Sequence, residues 1–410
     1  MAIHHLAAPK LVSIAQTNGI LRSTFEFHPR PVAVEYFRQA DGTKEARLNV
    51  LCVATILFTK LAGRAKCLSV PRYSAVLTGL LVFSAREALA SSPTNIFDPA
   101  ATPAHSIFSL SMLVLSVTLA IFLIVGGLLL YALIRFRHRP SDSDHEPAQI
   151  YGSNQIELSW TVIPILIVVM LFLSTTRVIW QTEAAPKPSG ALDVVVIGHQ
   201  FWWEYQYPKL GVITANELHI PISDPKSPTP TYLEMSSADV SHSFWVPRLA
   251  GKTDLIPNRI NTMWIDPPET GLYLGQCAQY CGAQHAKMLL RVYAQSPADF
   301  AAWVKQQQQP AQADLSNNPL AEEGRVVFLH NACINCHTVS GTSATGRFGP
   351  DLTHLASRDT IAAGSIENTP QNLRKWIADP NVLKPGCLMP SMHLHDHDLD
   401  VITAYLTTLH

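Results

Sequence analysis

The sequence predicts a multidomain membrane protein: a two-helix transmembrane hairpin, then an all-β sandwich, then an all-α domain. Three observations carry this expectation. Uncharged apolar runs lie at 107–134 and 158–176. Short β-like runs separated by proline-containing turns fill about 190–295 and end in a cluster of cysteine, histidine and methionine. A Cys-x-x-Cys-His motif at Cys333 to His337 then stands between two segments of helical pattern.

The chain has 410 residues, a formal net charge of -1, and only 15% charged residues. Ordinary soluble domains carry about 25%, so the deficit points to membrane segments. The balanced charge gives no sign of a nucleic-acid partner, and the length favours two or three domains. Of the seven cysteines, Cys277 with Cys281 and Cys333 with Cys336 form tight pairs, while Cys52, Cys67 and Cys387 stand apart. An odd, clustered set fits metal or cofactor chemistry better than a disulfide framework.

At about 1.5 Å per residue, the first run exceeds a hydrocarbon core of about 30 Å. The second, expected to span about 158–179, contains Pro164, which membrane helices tolerate where neighbours re-satisfy the freed carbonyl. Arg135, Arg137 and Arg139 concentrate in the connecting loop, which places that loop on the cytoplasmic side and everything after Trp180 outside. Upstream, the apolar run Ala75 to Phe83 and Ala88-Leu89-Ala90 read as a secretory signal peptide with Ser91 as the mature N-terminus. The expected divisions are 1–90 for an extension with that signal, 91–185 for the hairpin, 190–295 for the sandwich, 296–318 for a linker that opens with a short helix, and 319–410 for the helical domain.

Leu192 to Val196 and Thr231 to Met235 read as strands. The segment Gly275 to Met288 brings Cys277, Cys281, His285 and Met288 into one loop, and His242 is a further candidate from an earlier strand end. Two thiolates can bridge two copper ions, with imidazoles and a weak thioether completing the spheres. A Cys277–Cys281 disulfide and a zinc site using His242 and His285 are competing readings. The zinc site leaves Met288 without a role. A membrane-anchored copper-delivery or thiol protein also uses a cysteine pair and a distant histidine, but around a βαβ order that this sequence does not show.

Residues 91–295 resemble subunit II of haem–copper cytochrome c oxidases. The resemblance runs through Asn154-Gln155-Ile156-Glu157, Trp160 to Pro164, Gly198 to Tyr205, Ser237 to Ser243 and the loop 275–288. It implies a cupredoxin fold holding the dinuclear copper centre CuA. Its ligands would be His242, Cys277, the backbone carbonyl of Gln279, Cys281, His285 and Met288. It implies subunit I (haem and CuB) and subunit III as partners, a place in a bacterial inner membrane with both metal domains on the periplasmic face, and electron input to a proton-pumping oxidase. Quinol oxidase subunit II shares the fold but lacks these ligands, and nitrous-oxide reductase lacks the two spans. Glu157 would mark the entrance of a proton pathway into subunit I. Trp202, with Trp203 beside it, would receive electrons, although mitochondrial-type members have Trp where Phe201 stands. The family's usual Glu is Gln279 here. A neutral amide is a poorer ligand for a hard cation, which weakens the case for magnesium. Asn258 replaces a usual Gly, and Asn tolerates left-handed backbone.

Cys333-Ile334-Asn335-Cys336-His337 is the haem c attachment pattern: two thiols for the vinyl groups and His337 for the iron. Met389 matches the sixth-ligand position of small cytochromes c, with Met392 as the alternative, and a Met/His pair raises the potential. Gly349-Pro350 resembles the segment whose carbonyl accepts the Nδ1 proton of the iron-binding histidine. Asn318-Pro319 starts one helix, and Leu399, Ile402, Tyr405, Leu406 and Leu409 mark a last one packing on it. The C-terminal domain is therefore expected to be a class I cytochrome c domain, fed by cytochrome c or another periplasmic donor.

Overall fold

The structure is a computed structural model. It describes residues 94–137, 149, 151–183, 187, 189–311, 315 and 318–410, and the backbone of 10–17, 20–27 and 30–36. The chain divides into two compact units, 1–85 and 86–410. In the first, β1 (Lys10–Thr17), β2 (Ile20–Phe27) and β3 (Arg30–Tyr36) form an antiparallel meander, closed by the pairs Thr17↔Ile20 and Phe27↔Arg30. The sequence reading assigns no element there. Cys52, Cys67 and the motif Ala88-Leu89-Ala90 lie outside the described residues.

In the second unit, α1 (Thr102–Arg135) and α2 (Asn154–Thr182) have 34 and 29 residues, longer than the apolar runs that announce them. Both continue through polar ends, since backbone hydrogen bonding carries the helix past its apolar stretch. Pro103 near the start of α1 suits an orphan N–H, and Pro164 lies inside α2 without ending it. No residue in the most apolar window of either helix is buried by the rest of the chain. Such surface requires lipid or other subunits to cover it. The top of α1 is tied to the β domain: Thr102 donates its N–H and hydroxyl to Asp266 at 2.8 and 2.6 Å, and Ala100 N–H donates to Arg248 O at 2.8 Å.

The β domain packs two five-stranded sheets. One runs β11 (Asn261–Ile265), β8 (Thr231–Ser237), β4 (Leu192–His199), β5 (Trp202–Tyr207), β6 (Val212–Ala215). The other runs β10 (Thr253–Leu255), β9 (His242–Trp245), β12 (Gly271–Cys277), β13 (Leu289–Gln295), β7 (Glu217–Pro221). Pairings β4/β8 and β13/β7 are parallel and the rest antiparallel. Alternation along β8 buries Thr231, Leu233, Met235 and Ser237, as a strand with one covered face requires. Trp203, Tyr205 and Phe244 fill the core. Asn258 has φ +60°, the left-handed conformation its amide side chain tolerates.

The segment after β13 opens with the expected short helix, and that helix packs on the sandwich. Ser296 caps α3 (Pro297–Gln307) by accepting from Asp299 N–H, and Phe300, Trp303 and Val304 turn onto the sandwich. The Trp303 ring stacks on His219 at 4.4 Å, and Gln308 donates to Leu210 O at 2.7 Å.

The C-terminal domain is helical: α4 (Pro319–His330), α5 (Cys333–Cys336), α6 (Pro370–Ala378), α7 (Pro380–Leu383) and α8 (Asp396–Leu406), with a small hairpin of β14 (Thr360–Ile361) and β15 (Ile366–Glu367). α8 crosses α4 at Gly324, where an added Cβ would lie 1.8 Å from Val401 O. Phe328 and Tyr405 meet beside that crossing at 5.7 Å.

Candidate functional site

Strand β12 delivers Cys277, and the chain turns back through Cys281 and a short 3-10 turn, His285–Lys287, to Met288 at the start of β13. His242 comes from β9, the neighbour of β12. Cys277 Sγ lies 3.9 Å from Cys281 Sγ, 3.9 Å from His242 Nδ1 and 3.2 Å from Gln279 O. Cys281 Sγ lies 3.7 Å from His285 Nδ1 and 3.9 Å from Met288 Sδ. The sulfurs are not bonded to each other, since a disulfide needs about 2.05 Å. The arrangement gives each sulfur its own imidazole while the two sulfurs share an edge.

Polar neighbours orient this set. Asp239 Oδ1 holds His242 Nε2 at 2.8 Å and leaves Nδ1 facing the thiols. Burial opposes a charged His242 ring, but Asp239 and Cys277 outweigh it and the pKa is raised. The hydrogen bond with Cys281 holds the Cys277 thiol far below its ordinary value and pushes Cys281 up. An added Cβ at Gly198 would come 2.7 Å from the His242 ring. Two soft thiols, a thioether and two imidazoles form a donor set that suits copper.

The second site is a cavity of about 400 Å³ walled by Cys333, Cys336, His337, Phe348, Trp376 and both Met389 and Met392. His337 Nδ1 donates to Pro350 O at 2.8 Å, fixing the ring, and burial lowers its pKa. An added Cβ on Gly349 would sit 2.7 Å from that ring. Arg358, 8% exposed, lines the same cavity with its Nε unpartnered. A largely apolar slot with paired thiols, a fixed imidazole and a buried guanidinium, one of whose N–H groups donates to Asp351 O while Nε is unpartnered, suits a haem with its acidic side groups.

The two sites share a wall. Gln200, Phe201 and Trp202 of the β domain line the helical domain's cavity. Trp202 is 9% exposed, stacks on His199 at 4.1 Å and packs with Ala363 of the helical domain. Gln200 Nε2 donates to Cys281 O at 2.6 Å. The Phe201 ring lies against Gly282 of the Cys277–Met288 loop, where an added Cβ would come within 3.0 Å of it. Gln200, Phe201, Asp239 and the cavity-lining Arg358 are therefore site residues that motif reading left without a role; Gln200 and Phe201 were visible only as neighbours of Trp202. Glu157 stands apart, in the first turn of α2.

Family models match along the chain. "Cytochrome C oxidase subunit II, transmembrane domain" covers 90–178, "Cytochrome C oxidase subunit II, periplasmic domain" covers 192–295, and "Cytochrome c" covers 321–410. Cytochrome c oxidase subunit 2 of Alkalihalophilus pseudofirmus is 35% identical over 317 residues, 76% of this chain and 90% of that protein. The same subunit of Bacillus sp. strain PS3 is 34% identical over 291 residues, 67% of this chain and 80% of that protein. The crystal structure of the periplasmic domain of subunit II of the Bradyrhizobium japonicum cytochrome oxidase aligns at 27% identity with TM-score 0.28, covering 30% of this chain and 97% of that one. The copper loop, the haem cavity and the two apolar helices thus sit in a chain that belongs to the cytochrome c oxidase subunit II family and carries a cytochrome c domain at its C-terminal end.

Proposed function

We propose that this subunit carries electrons from a periplasmic donor, cytochrome c or a similar protein, to subunit I of a proton-pumping oxidase, in a complex that also holds subunit III. When bound, haem c and the copper pair supply the one-electron carriers. Cys277, Cys281, His242, His285, Met288 and the Gln279 carbonyl would hold the copper ions. Cys333 and Cys336 would hold the haem covalently, and His337 with Met389 would bind its iron. Phe201 and Trp202 line the haem cavity, and Phe201 also lies against Gly282, between the two sites. Glu157 would take up protons at the inner end of α2, with both metal domains outside. The apolar helices, with Arg135 in the last turn of α1 and Arg137 and Arg139 after it in the sequence, support that orientation.

The shared wall carries this reading: the Phe201 ring meets the copper loop at Gly282 and lines the haem cavity. Covalent attachment raises the effective concentration of such a donor to about the millimolar range. The test is copper and haem quantification on the purified membrane protein, with optical and paramagnetic resonance spectra. Two coppers per covalent haem, in a spectrum showing one electron shared by two coppers, is the expected result. A single copper, or zinc in its place, would overturn the copper assignment. A haem that extracts into acidic acetone would overturn the covalent one.

A further inference from the structure

The interface between the copper and haem domains contains two buried ionisable groups that no part of the proposed electron path uses. Lys384, after α7 of the haem domain, is 2% exposed. Its Nζ donates across the interface to Phe201 O at 2.9 Å and within its own domain to Ala362 O at 3.1 Å. Glu217, in β7 of the copper domain, is 3% exposed. It reaches the opposite way, accepting from Asp359 N–H at 3.2 Å, Thr360 N–H at 2.9 Å and the Thr360 hydroxyl at 2.7 Å.

Each group has its full set of partners only in one pose of the two domains: without it Lys384 keeps Ala362 O and Glu217 keeps the Arg291 guanidinium at 3.9 Å, both within their own domains. A buried charge that loses partners is costly, so a slipped interface removes cross-domain partners from both groups at once. Apolar contacts alone, such as Trp202 on Ala363, would tolerate sliding. Burial pulls Lys384 down to about 7 and raises Glu217. The lysine keeps enough N–H groups for two carbonyls in either state: three when charged, two when neutral. Its hold therefore survives titration.

We propose that Lys384 and Glu217 are reciprocal positioning residues that fix the docking register of the haem domain on the copper domain, and thereby the rate of electron passage between them, without touching either metal. The proposal rests on the electron-carrying function argued above. Lys384 works at the Phe201 carbonyl, on the shared wall itself. Glu217 works about the β14 hairpin, which also receives the Tyr293 hydroxyl at Asp359 Oδ2, 2.6 Å away. Backbone pairing of Leu289 N–H with Ala363 O, at 3.1 Å, completes that edge.

The test uses the intact membrane protein with both cofactors loaded. Lys384→Met keeps the stem and removes the donors; Glu217→Gln is the milder second variant. Amide hydrogen exchange is followed at Thr360 and Leu289, whose N–H groups bond across the interface, and haem-to-copper electron passage is timed after rapid reduction of the haem. Exchange at both amides at least tenfold faster, and passage at least tenfold slower, with unchanged copper and haem spectra, is the expected result. Unchanged exchange and unchanged passage in both variants would overturn the assignment. Absence of haem-to-copper passage in the unmutated protein would instead overturn the functional reading, while the exchange measurement would still test the docking role.

Discussion

The carboxylate of Asp239 lies 2.8 Å from Nε2 of His242 and leaves Nδ1 of the same ring 3.9 Å from Cys277 Sγ. That carboxylate also accepts from the backbone N–H of Gln200 at 2.6 Å, which joins the ring's orientation to the aromatic segment. Outer partners of this kind are worth about 10–100-fold in metal affinity. Asp239→Ala should therefore weaken copper binding by about that factor while the haem stays. Competition with a copper chelator measures the change, and affinity equal to the unmutated protein would show that His242 needs no such support.

Cys277→Ser should remove copper far more completely. An alcohol is a hard, poor copper ligand, and Cys277 is the residue at which His242, Cys281 and the Gln279 carbonyl converge. Haem content should be unaffected, because Cys333 and Cys336 lie in another domain. Gln279→Ala should retain copper, since its proposed ligand atom is the backbone oxygen, 3.2 Å from Cys277 Sγ.

Met389 and Met392 both line the haem cavity, and substitution separates them. Met389→Leu should leave haem attached but lower its reduction potential, because a thioether opposite histidine raises it. Met392→Leu should leave the potential where it was. Potentiometric titration of the haem band checks both, and a reversal of the two outcomes would transfer the ligand role to Met392.

The seat of α3 should fail in acid. His219 lies stacked between Trp303 at 4.4 Å and Tyr293 at 4.8 Å, and its Nδ1 meets Gln295 Oε1 at 3.2 Å. Burial lowers its pKa to about 4, with Gln295 and Asp359 opposing and Arg358 assisting. The neutral ring is the one that fits. The stability it confers is complete above the unfolded value of about 6.5 and declines as pH falls from there towards 4. Trp303 fluorescence should report this loss, and His219→Phe, which keeps the stack and cannot protonate, should flatten the curve. A curve unchanged by that substitution would assign the acid response elsewhere.

Much of both sites was legible because their residues are close in sequence or carry a strong pattern. The candidate copper loop packs four proposed donors into Cys277 to Met288, and Cys333 to His337 is a contiguous motif. The helical domain's last helix was legible from its period, since Leu399, Ile402, Tyr405 and Leu406 are all buried. α3 was legible as a short helix before the linker, but its packing was hidden by the polar run Gln306 to Gln309, although Phe300, Trp303 and Val304 at helical spacing carried the signal of a packed face. Lys384 and Glu217 were not legible. A lone charged residue has no periodicity, and each finds its partners across the domain boundary, 183 residues away for Lys384 with Phe201 and 143 for Glu217 with Thr360. Only the docked fold makes those distances short.

The haem domain is carried on the chain whose copper loop it faces, beyond a segment anchored by α3 up to Gln307 and resumed at Pro319. One consequence concerns supply rather than chemistry. A copper domain and its neighbouring haem domain are translated from one message in a fixed one-to-one ratio. Dilution of the membrane, or scarcity of free carriers outside it, cannot leave a copper domain without its resident neighbour.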